Sequence, residues 1–279
     1  MTTSEIITLL QARGFRFTHS LGQNFLIDED VLEEIVTKAA VSGRNVLEIG
    51  AGAGCLTQAL AREAGRVLAI EIDDKLMPVL NTVLAPQKNV TLVQGDALKL
   101  NLEQLTRDAF GGEPFDVVAN LPYYITTPVL FRLLEGELPI ERICVMLQKE
   151  AVARVTARPG AKEYGPLAIR AQYYTQPRVA RIVEAACFTP PPKVDSAFVC
   201  MPWRDQPAVQ VGDEVRFFRI VNAAFALRRK TLCNNLTSAF RLTREEALAW
   251  IARAGLPENI RGEALSLQQF ADLANAEQE

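Results

Sequence analysis

Five short runs of apolar, largely β-branched residues constrain the fold of this chain more than anything else in it. They are Asn45–Ile49 (NVLEI), Val67–Ile72 (VLAIEI), Val90–Val93 (VTLV), Phe115–Ala119 (FDVVA) and Ile143–Leu147 (ICVML). Runs this brief and this continuously apolar suit strands buried on both faces. Helical patterns such as Leu56–Glu63 and Lys75–Leu84 separate them. Glu29–Ala40 puts Val31, Leu32, Ile35, Val36 and Ala39 on one stripe, with Asp28 at the capping position. The alternation predicts an α/β fold, a parallel sheet with helices on both faces. Ala180–Ala185 and Ala197–Met201 are two further strand candidates. Phe188–Lys193 (FTPPPK) between them reads as a rigid loop, because proline gives no donor to a central ladder. Past Pro202–Gly212 the strand signal ends, and Val215–Ala226, Arg229–Phe240, Arg244–Gly255 and Leu267–Ala276 have helical character. The expected organisation is one domain over 1–204 and a small all-helical domain over 205–279.

A chain of 279 residues, 49% apolar and 23% charged, supports a sizeable core without covalent staples. Its five cysteines (Cys55, Cys144, Cys187, Cys200, Cys233) are scattered, with no Cys-x-x-Cys pair. That spacing argues against a disulfide framework or a zinc ribbon and for reduced thiols in a cytoplasmic protein. The one histidine, His19, cannot build a multi-histidine metal site. A Ser/His/Asp triad would rest on it alone, in a segment with no nucleophile elbow. No apolar run reaches the roughly 18 residues of a membrane span. The amino terminus carries Glu5 and lacks the basic region and apolar block of a secretory signal. No metal and no membrane partner are expected.

The first strand runs directly into Glu48-Ile-Gly50-Ala-Gly52-Ala-Gly54. Glycines at such a turn let the backbone bend sharply and approach a ligand. With Cys55 where a third dinucleotide-type glycine would stand, the phasing is Gly-x-Gly-x-Gly. It suits S-adenosylmethionine lying against a strand end better than a pyrophosphate. Gly50 and Gly52 would lie under the ligand. Glu71, at the end of the second strand, can accept both ribose hydroxyls, and Asp96 with Ala97 after the third can meet an adenine amine. The plain alternative is a strand–turn–helix whose glycines only tighten the turn.

Asn120-Leu-Pro-Tyr123 follows the fourth strand. The Asn120 side chain and the Leu121 carbonyl, fixed by Pro122, offer two acceptors to one planar amine. Tyr123 offers a face for a purine. An exocyclic base amine is a weak nucleophile because its lone pair is delocalised into the ring. Two acceptors on its hydrogens localise that pair, so positioning and electrostatics suffice without a strong base. The alternative is a structural strand-end turn.

Taken in order, the glycine loop, Glu71, Asp96 and Asn120-Leu-Pro-Tyr123 resemble the class I (Rossmann-like) methyltransferases that modify base amines. More narrowly, the chain resembles the ribosomal RNA adenine dimethyltransferases, the KsgA family, from about Arg13 to Gly262. The likeness also takes in Leu21-Gly-Gln-Asn-Phe-Leu26, Asn120 to Pro128, Phe188-Thr-Pro-Pro-Pro-Lys-Val-Asp-Ser196 and Phe225 to Leu236. The resemblance implies S-adenosylmethionine as cofactor and dimethylation of two adjacent adenosines near the 3′ end of small-subunit ribosomal RNA. It implies that Asn24 and Leu26 close over the methionine end of the cofactor, with Gln23 and Phe25 beside them. Asn120 would hold the target amine, while Tyr123 and Phe188 would stack on the extruded adenine. Phe188, ahead of three prolines, is expected to be an exposed, rigid aromatic. The implied partner is the small ribosomal subunit or its precursor, met by a monomer.

Net charge, −3, argues at face value against a nucleic-acid partner. Its distribution argues otherwise. Arg216, Arg219, Arg228, Arg229, Lys230, Arg241 and Arg244 fall in a stretch without a single acid, whereas 245–279 is acidic. Arg228, Arg229 and Lys230 are the expected RNA-phosphate contacts; the alternative is a solvated helix face. Competing functions are a large-subunit adenine methyltransferase of the macrolide-resistance type, a ribosome-assembly factor acting mainly by binding, and a nicotinamide dehydrogenase. Leu121 and the Phe225–Leu236 stretch favour the small-subunit reading over the first. Intact Asn120, Tyr123, Gly50, Glu71 and Asp96 argue against loss of chemistry, and Cys55 argues against the dehydrogenase.

Overall fold

The computed structural model describes residues 1–17, 22–135 and 138–276; His19 and Leu21 lie outside them. Internal contacts divide the chain into two units, Met1–Val152 with Arg178–Trp203, and Ala153–Pro177 with Arg204–Glu279. The 204/205 boundary read from the sequence thus sits beside one of the crossings. The segment Ala153–Pro177, read there as part of the first domain, groups with the carboxyl-terminal helices. In chain order the elements are α1 (Thr3–Ala12), β1 (Phe25–Leu26), α2 (Glu29–Ala39), β2 (Asn45–Ile49), α3 (Cys55–Glu63), β3 (Arg66–Glu71), α4 (Met77–Leu84) and β4 (Val90–Gln94). Then come α5 (Leu102–Phe110), β5 (Phe115–Asn120), α6 (Thr126–Glu135), β6 (Ile140–Gln148), α7 (Lys149–Thr156), α8 (Pro166–Tyr174), β7 (Arg178–Val183), β8 (Phe188–Thr189) and β9 (Ser196–Pro202). Helices α9 (Glu214–Ala224), α10 (Leu232–Phe240), α11 (Arg244–Arg253) and α12 (Leu267–Asn275) complete the chain.

The main sheet has seven strands in the order β4-β3-β2-β5-β6-β9-β7. Its first five strands are parallel, as the uniform apolar runs predict. One strand departs from that expectation: β9 runs antiparallel to both of its neighbours, β6 and β7, so β7 at the edge points the same way as the first five. β7 is reached from β6 through α7 and α8 and keeps the common direction, whereas no α-helix separates β7 from β9, so nothing forces β9 parallel. The strand read as Ala180–Ala185 lies at Arg178–Val183, followed by a turn of 3₁₀ helix at Ala185–Cys187. The Phe188–Lys193 loop opens with β8, which pairs antiparallel with β1 (Leu26 opposite Phe188). Asp28 caps α2 as its position predicts, accepting from the Val31 amide at 3.0 Å.

Because β2 lies between β3 and β5, the chain leaves the sheet in opposite directions after β2 and after β5. That divergence is the switch point at which open α/β sheets bind ligands. Gly50, Glu71, Asp96 and Asn120 all sit at the carboxyl ends of β2, β3, β4 and β5. The opposite end of the sheet is structural: Asp116, fully buried on β5, takes the guanidinium groups of Arg44 and Arg142, the latter at 2.8 Å.

The second unit has its own core, centred on Trp250, Phe217, Phe270 and Tyr173. Trp250 Nε1 donates to the Leu273 carbonyl at 2.9 Å, satisfying its one polar atom. Gly262 lies so close to α9 that a Cβ there would meet the Ala224 carbonyl oxygen at 2.4 Å. Thr231 caps α10, so the helix read as Arg229–Phe240 begins at Leu232 and leaves Arg228–Lys230 in the preceding turn.

Candidate active site

A cleft of about 690 Å³, its open mouth included, lies over the switch point. Gln23, Asn24, Phe25, Gly50, Gly52, Glu71, Asp96, Ala97, Asn120, Leu121 and Tyr123 all line it, so one place gathers almost every residue singled out above. Leu26 faces a small adjoining cavity that Glu48 and Asn120 also line. Phe188 lines neither cavity.

The glycine loop is held by positive φ angles of 81° at Gly50, 58° at Gly52 and 87° at Gly54. An added Cβ at Gly52 would stand 3.1 Å from the Phe25 ring, and one at Gly50 3.2 Å from Pro122 Cδ. The glycines therefore keep the floor of the cleft thin on both counts, conformation and space. The Gly52 amide donates to Glu71 Oε2 at 2.7 Å, and the Asp73 amide to Oε1 at 2.8 Å. The Ile72 amide also acts on this carboxylate, and of the roughly four acceptor positions of a carboxylate these amides use three. Burial pushes the Glu71 carboxyl above the usual range, and these amides oppose the rise.

Asp96 stands in the turn after β4, where its Oδ1 accepts from the Leu98 amide at 2.9 Å and its Oδ2 lies 3.4 Å from Lys99 Nζ. Asn120 donates its side-chain amide to the Asn24 carbonyl at 3.0 Å, while Asn24 folds its own amide back onto the Gly22 carbonyl at 3.1 Å. With one hydrogen of its NH₂ committed to Asn24, Asn120 keeps Oδ1 as the acceptor end of its amide, in the same cleft as Leu121. The Tyr123 hydroxyl lies 3.3 Å from Ser196 Oγ. Burial raises its pKa, and the neighbouring Ser196 and Gln148 temper the rise. Ser196 and Gln148 are register partners at the ends of β9 and β6, so the sheet itself fixes the anchor of this ring.

Two findings correct the sequence reading or go beyond it. Phe188 is 2% exposed, not the exposed aromatic expected. Its pairing with Leu26 turns the ring into the core of the first unit, and the prolines that suggested a solvent loop follow it instead of surrounding it. Three residues had not been picked out: Ile72, 43% exposed and immediately after Glu71, and Tyr124, 49% exposed, both of which line the cleft, and buried Asp73 behind it, which accepts from Gln23 Nε2 at 2.7 Å. A doubled tyrosine in Asn120-Leu-Pro-Tyr-Tyr124 was the available signal for the second. Glu48 is the other omission. It is 1% exposed, its Oε2 has no hydrogen-bond partner, and burial raises its pKa to about 8. Thr57 lies near enough to moderate that shift, though neither group makes a hydrogen bond of ordinary geometry to the other.

Arg228, Arg229 and Lys230 belong to the second unit and are exposed, in the turn between α9 and α10 with half-exposed Leu227. Buried Asn235 pins that turn, donating to the Ala224 carbonyl at 2.9 Å and the Leu227 carbonyl at 3.4 Å. Among the described residues, no group of three or more His, Cys, Asp or Glu is arranged to hold a metal, and no helix is long and apolar enough to cross a membrane.

Residues 14–279 match the family model described as ribosomal RNA adenine dimethylase. The chain is 48% identical over 273 residues to ribosomal RNA small subunit methyltransferase A of Streptococcus sanguinis, an alignment covering 96% of this chain and 94% of the relative. Among solved structures, a dimethyladenosine transferase from Plasmodium falciparum superposes with a TM-score of 0.70 at 23% identity, covering 88% of this chain and 94% of that one. The 23S rRNA methyltransferase ErmE superposes with a TM-score of 0.68 at 26% identity, covering 90% and 98%. The fold is that of the class I methyltransferases, with a helical carboxyl-terminal region.

Proposed function

The chain belongs to the ribosomal RNA adenine dimethylase family, and on that premise we propose that it transfers methyl groups from S-adenosylmethionine to the N6 amines of two adjacent adenosines near the 3′ end of small-subunit ribosomal RNA. The observation that carries the reading is the commitment of the Asn120 amide to Asn24, which leaves Oδ1 and the Leu121 carbonyl as the acceptors of the cleft's target side.

The residues of the cleft fit this cofactor. Gly50 and Gly52 give a floor without side chains, the acceptor position left on Glu71 suits a ribose hydroxyl, and Asp96 suits an adenine amine. Ile72 and Ala97 offer apolar surface to the base between them, and Gln23, Asn24 and Leu26 lie toward the methionine end. Bound S-adenosylmethionine supplies an electrophilic sulfonium methyl. Asn120 Oδ1 and the Leu121 carbonyl accept the two hydrogens of the target amine and draw its lone pair out of conjugation. Tyr123, tethered through its hydroxyl to Ser196, presents its ring to the extruded adenine and keeps the amine at one height. No step calls for a metal. Phe188, being buried, supports the fold beside Leu26, and the stacking falls to Tyr123.

Arg228, Arg229 and Lys230 contact RNA phosphates, and the partner is the small ribosomal subunit or its precursor, approached by a monomer in the cytoplasm. Large-subunit RNA is the second reading, because ErmE shares the fold; the 48% identity to a protein named for the small subunit weighs against it. The test is transfer of labelled methyl to small ribosomal subunits that lack the modification, beside naked large-subunit RNA. Label in N6-dimethyladenosine of the small subunit is expected. Label in large-subunit RNA alone, or particle binding without any label, overturns the reading.

A further inference from the structure

The wall that carries Asp96 is held from an unexpected direction. Residues 95–100 form a tight turn whose amides are spent inside the protein: the Gly95 amide donates to the Glu71 carbonyl at 2.8 Å, and those of Lys99 and Leu100 to the Asp96 carbonyl at 2.8 and 2.9 Å. Leu100 folds over Gly95, where an added Cβ would stand 2.7 Å from its Cδ1. Two of the turn's carbonyls face α6. Arg132, from the last turn of that helix, donates Nη1 to the Ala97 carbonyl at 2.6 Å and Nη2 to the Leu100 carbonyl. Helix α6 is itself anchored by buried Val129, Leu130, Leu133 and Leu134, and it begins directly behind the Tyr123–Ile125 turn. A planar guanidinium suits two carbonyls three residues apart; an ammonium does not span them.

We propose that Arg132 is a positioning residue for the adenine subsite: by clamping the Ala97 and Leu100 carbonyls it sets the Asp96 carboxylate where a 6-amino purine is selected. This rests on the reading above in which Asp96 accepts from the cofactor's adenine amine. Removing the guanidinium leaves two inward carbonyls unpaired and lets the turn relax toward water. Asp96 then moves relative to the base while the glycine loop and Glu71, on other strands, stay in place.

The experiment is calorimetric titration of the full chain with S-adenosylhomocysteine and with S-inosylhomocysteine, which carries a carbonyl where adenine carries its amine. The unaltered protein is expected to prefer the adenosyl ligand strongly. Arg132→Met should weaken adenosyl binding about tenfold, change inosyl binding little and so collapse the preference. Arg132→Lys, which keeps the charge and reaches one carbonyl, should recover part of it. In turnover the Met variant should raise KM for S-adenosylmethionine and leave kcat unchanged. Because a ratio of two affinities is read only from folded protein, partial misfolding leaves it intact. A Met variant that keeps the full preference, or loses both ligands equally, overturns the inference while the Asp96 reading stands. Equal binding of both ligands by the unaltered chain overturns the Asp96 reading and this inference with it.

Discussion

The cleft over the switch point and the turn between α9 and α10 are opposite ways to build a binding surface. In the cleft nearly every polar side chain is already spoken for: Gln23 by Asp73, Asn24 by Gly22, Asn120 by Asn24, Glu71 by Gly52 and Asp73. Specificity there is geometric, because each bond fixes which lone pair is left for a ligand. In the turn, the backbone is pinned by Asn235, Arg228 rests its guanidinium on the Lys162 carbonyl, and Arg229 and Lys230 are exposed beside it. Specificity there is electrostatic and the reach is adjustable. Damage to the first should register as lost chemistry or lost cofactor, and damage to the second as altered salt dependence.

The contrast is broken most directly at Asn120. Asn120→Ala should lower methyl transfer by about 10²–10³-fold, the cost of one preorganised polar group aimed at the reacting centre. Affinity for S-adenosylhomocysteine, measured by calorimetry, should fall less than about tenfold; a larger fall would make Asn120 a cofactor ligand first. Next in size is Glu71→Ala, which strands the Gly52 and Asp73 amides as well as removing the acceptor. It should weaken S-adenosylhomocysteine about a hundredfold with kcat at saturation little changed. Joint Arg228→Glu and Arg229→Glu should raise the KM for the particle about tenfold at low salt and reduce the slope of log affinity against log salt by about two. Filter binding over a salt series reads this, and an unchanged slope would move the RNA contact elsewhere.

The smallest effect concerns stability. Burial pushes the Glu48 carboxyl up from the ordinary 4.5 to about 8 in the folded protein. Below 4.5 the carboxyl is neutral folded or unfolded and adds no pH dependence. Between 4.5 and 8 only the unfolded chain ionises, so stability is lost as pH rises, by up to about 1.4 kcal/mol per pH unit, and the loss levels off above 8. Glu48→Gln removes this dependence. Its melting temperature should exceed that of the unaltered chain by a margin that widens from pH 5 to 8 and then stays constant; a pH-independent margin would mean that Glu48 is ionised in the folded state.

Much of this molecule was readable before any coordinates. The five parallel strands announced themselves because burial on both faces leaves no room for polar residues. The convergence of Gly50, Glu71, Asp96 and Asn120 follows from all of them standing at carboxyl ends of strands in one sheet. What escaped was encoded in pairings instead of patterns. A two-residue strand such as β8 has no periodicity, so Phe188 looked exposed when its partner Leu26 turns it inward. The grouping of Ala153–Pro177 with the carboxyl-terminal helices is a matter of packing, to which local composition is blind. Arg132 gave no signal at all, since its partners are main-chain carbonyls 35 and 32 residues earlier and main-chain atoms have no sequence identity.

The 3.2 Å that would separate a Gly50 Cβ from Pro122 means that the two loops flanking the switch point leave no room for a side chain between them. The floor of the cleft and the shelf formed by Asn120 to Pro122 are therefore set against each other. A methyl group added at Gly50 would shove the shelf as well as roughen the floor, and a looser ring at 122 would let the floor sag. On the proposed reading, the span that a methyl group crosses is set by how closely these two loops pack.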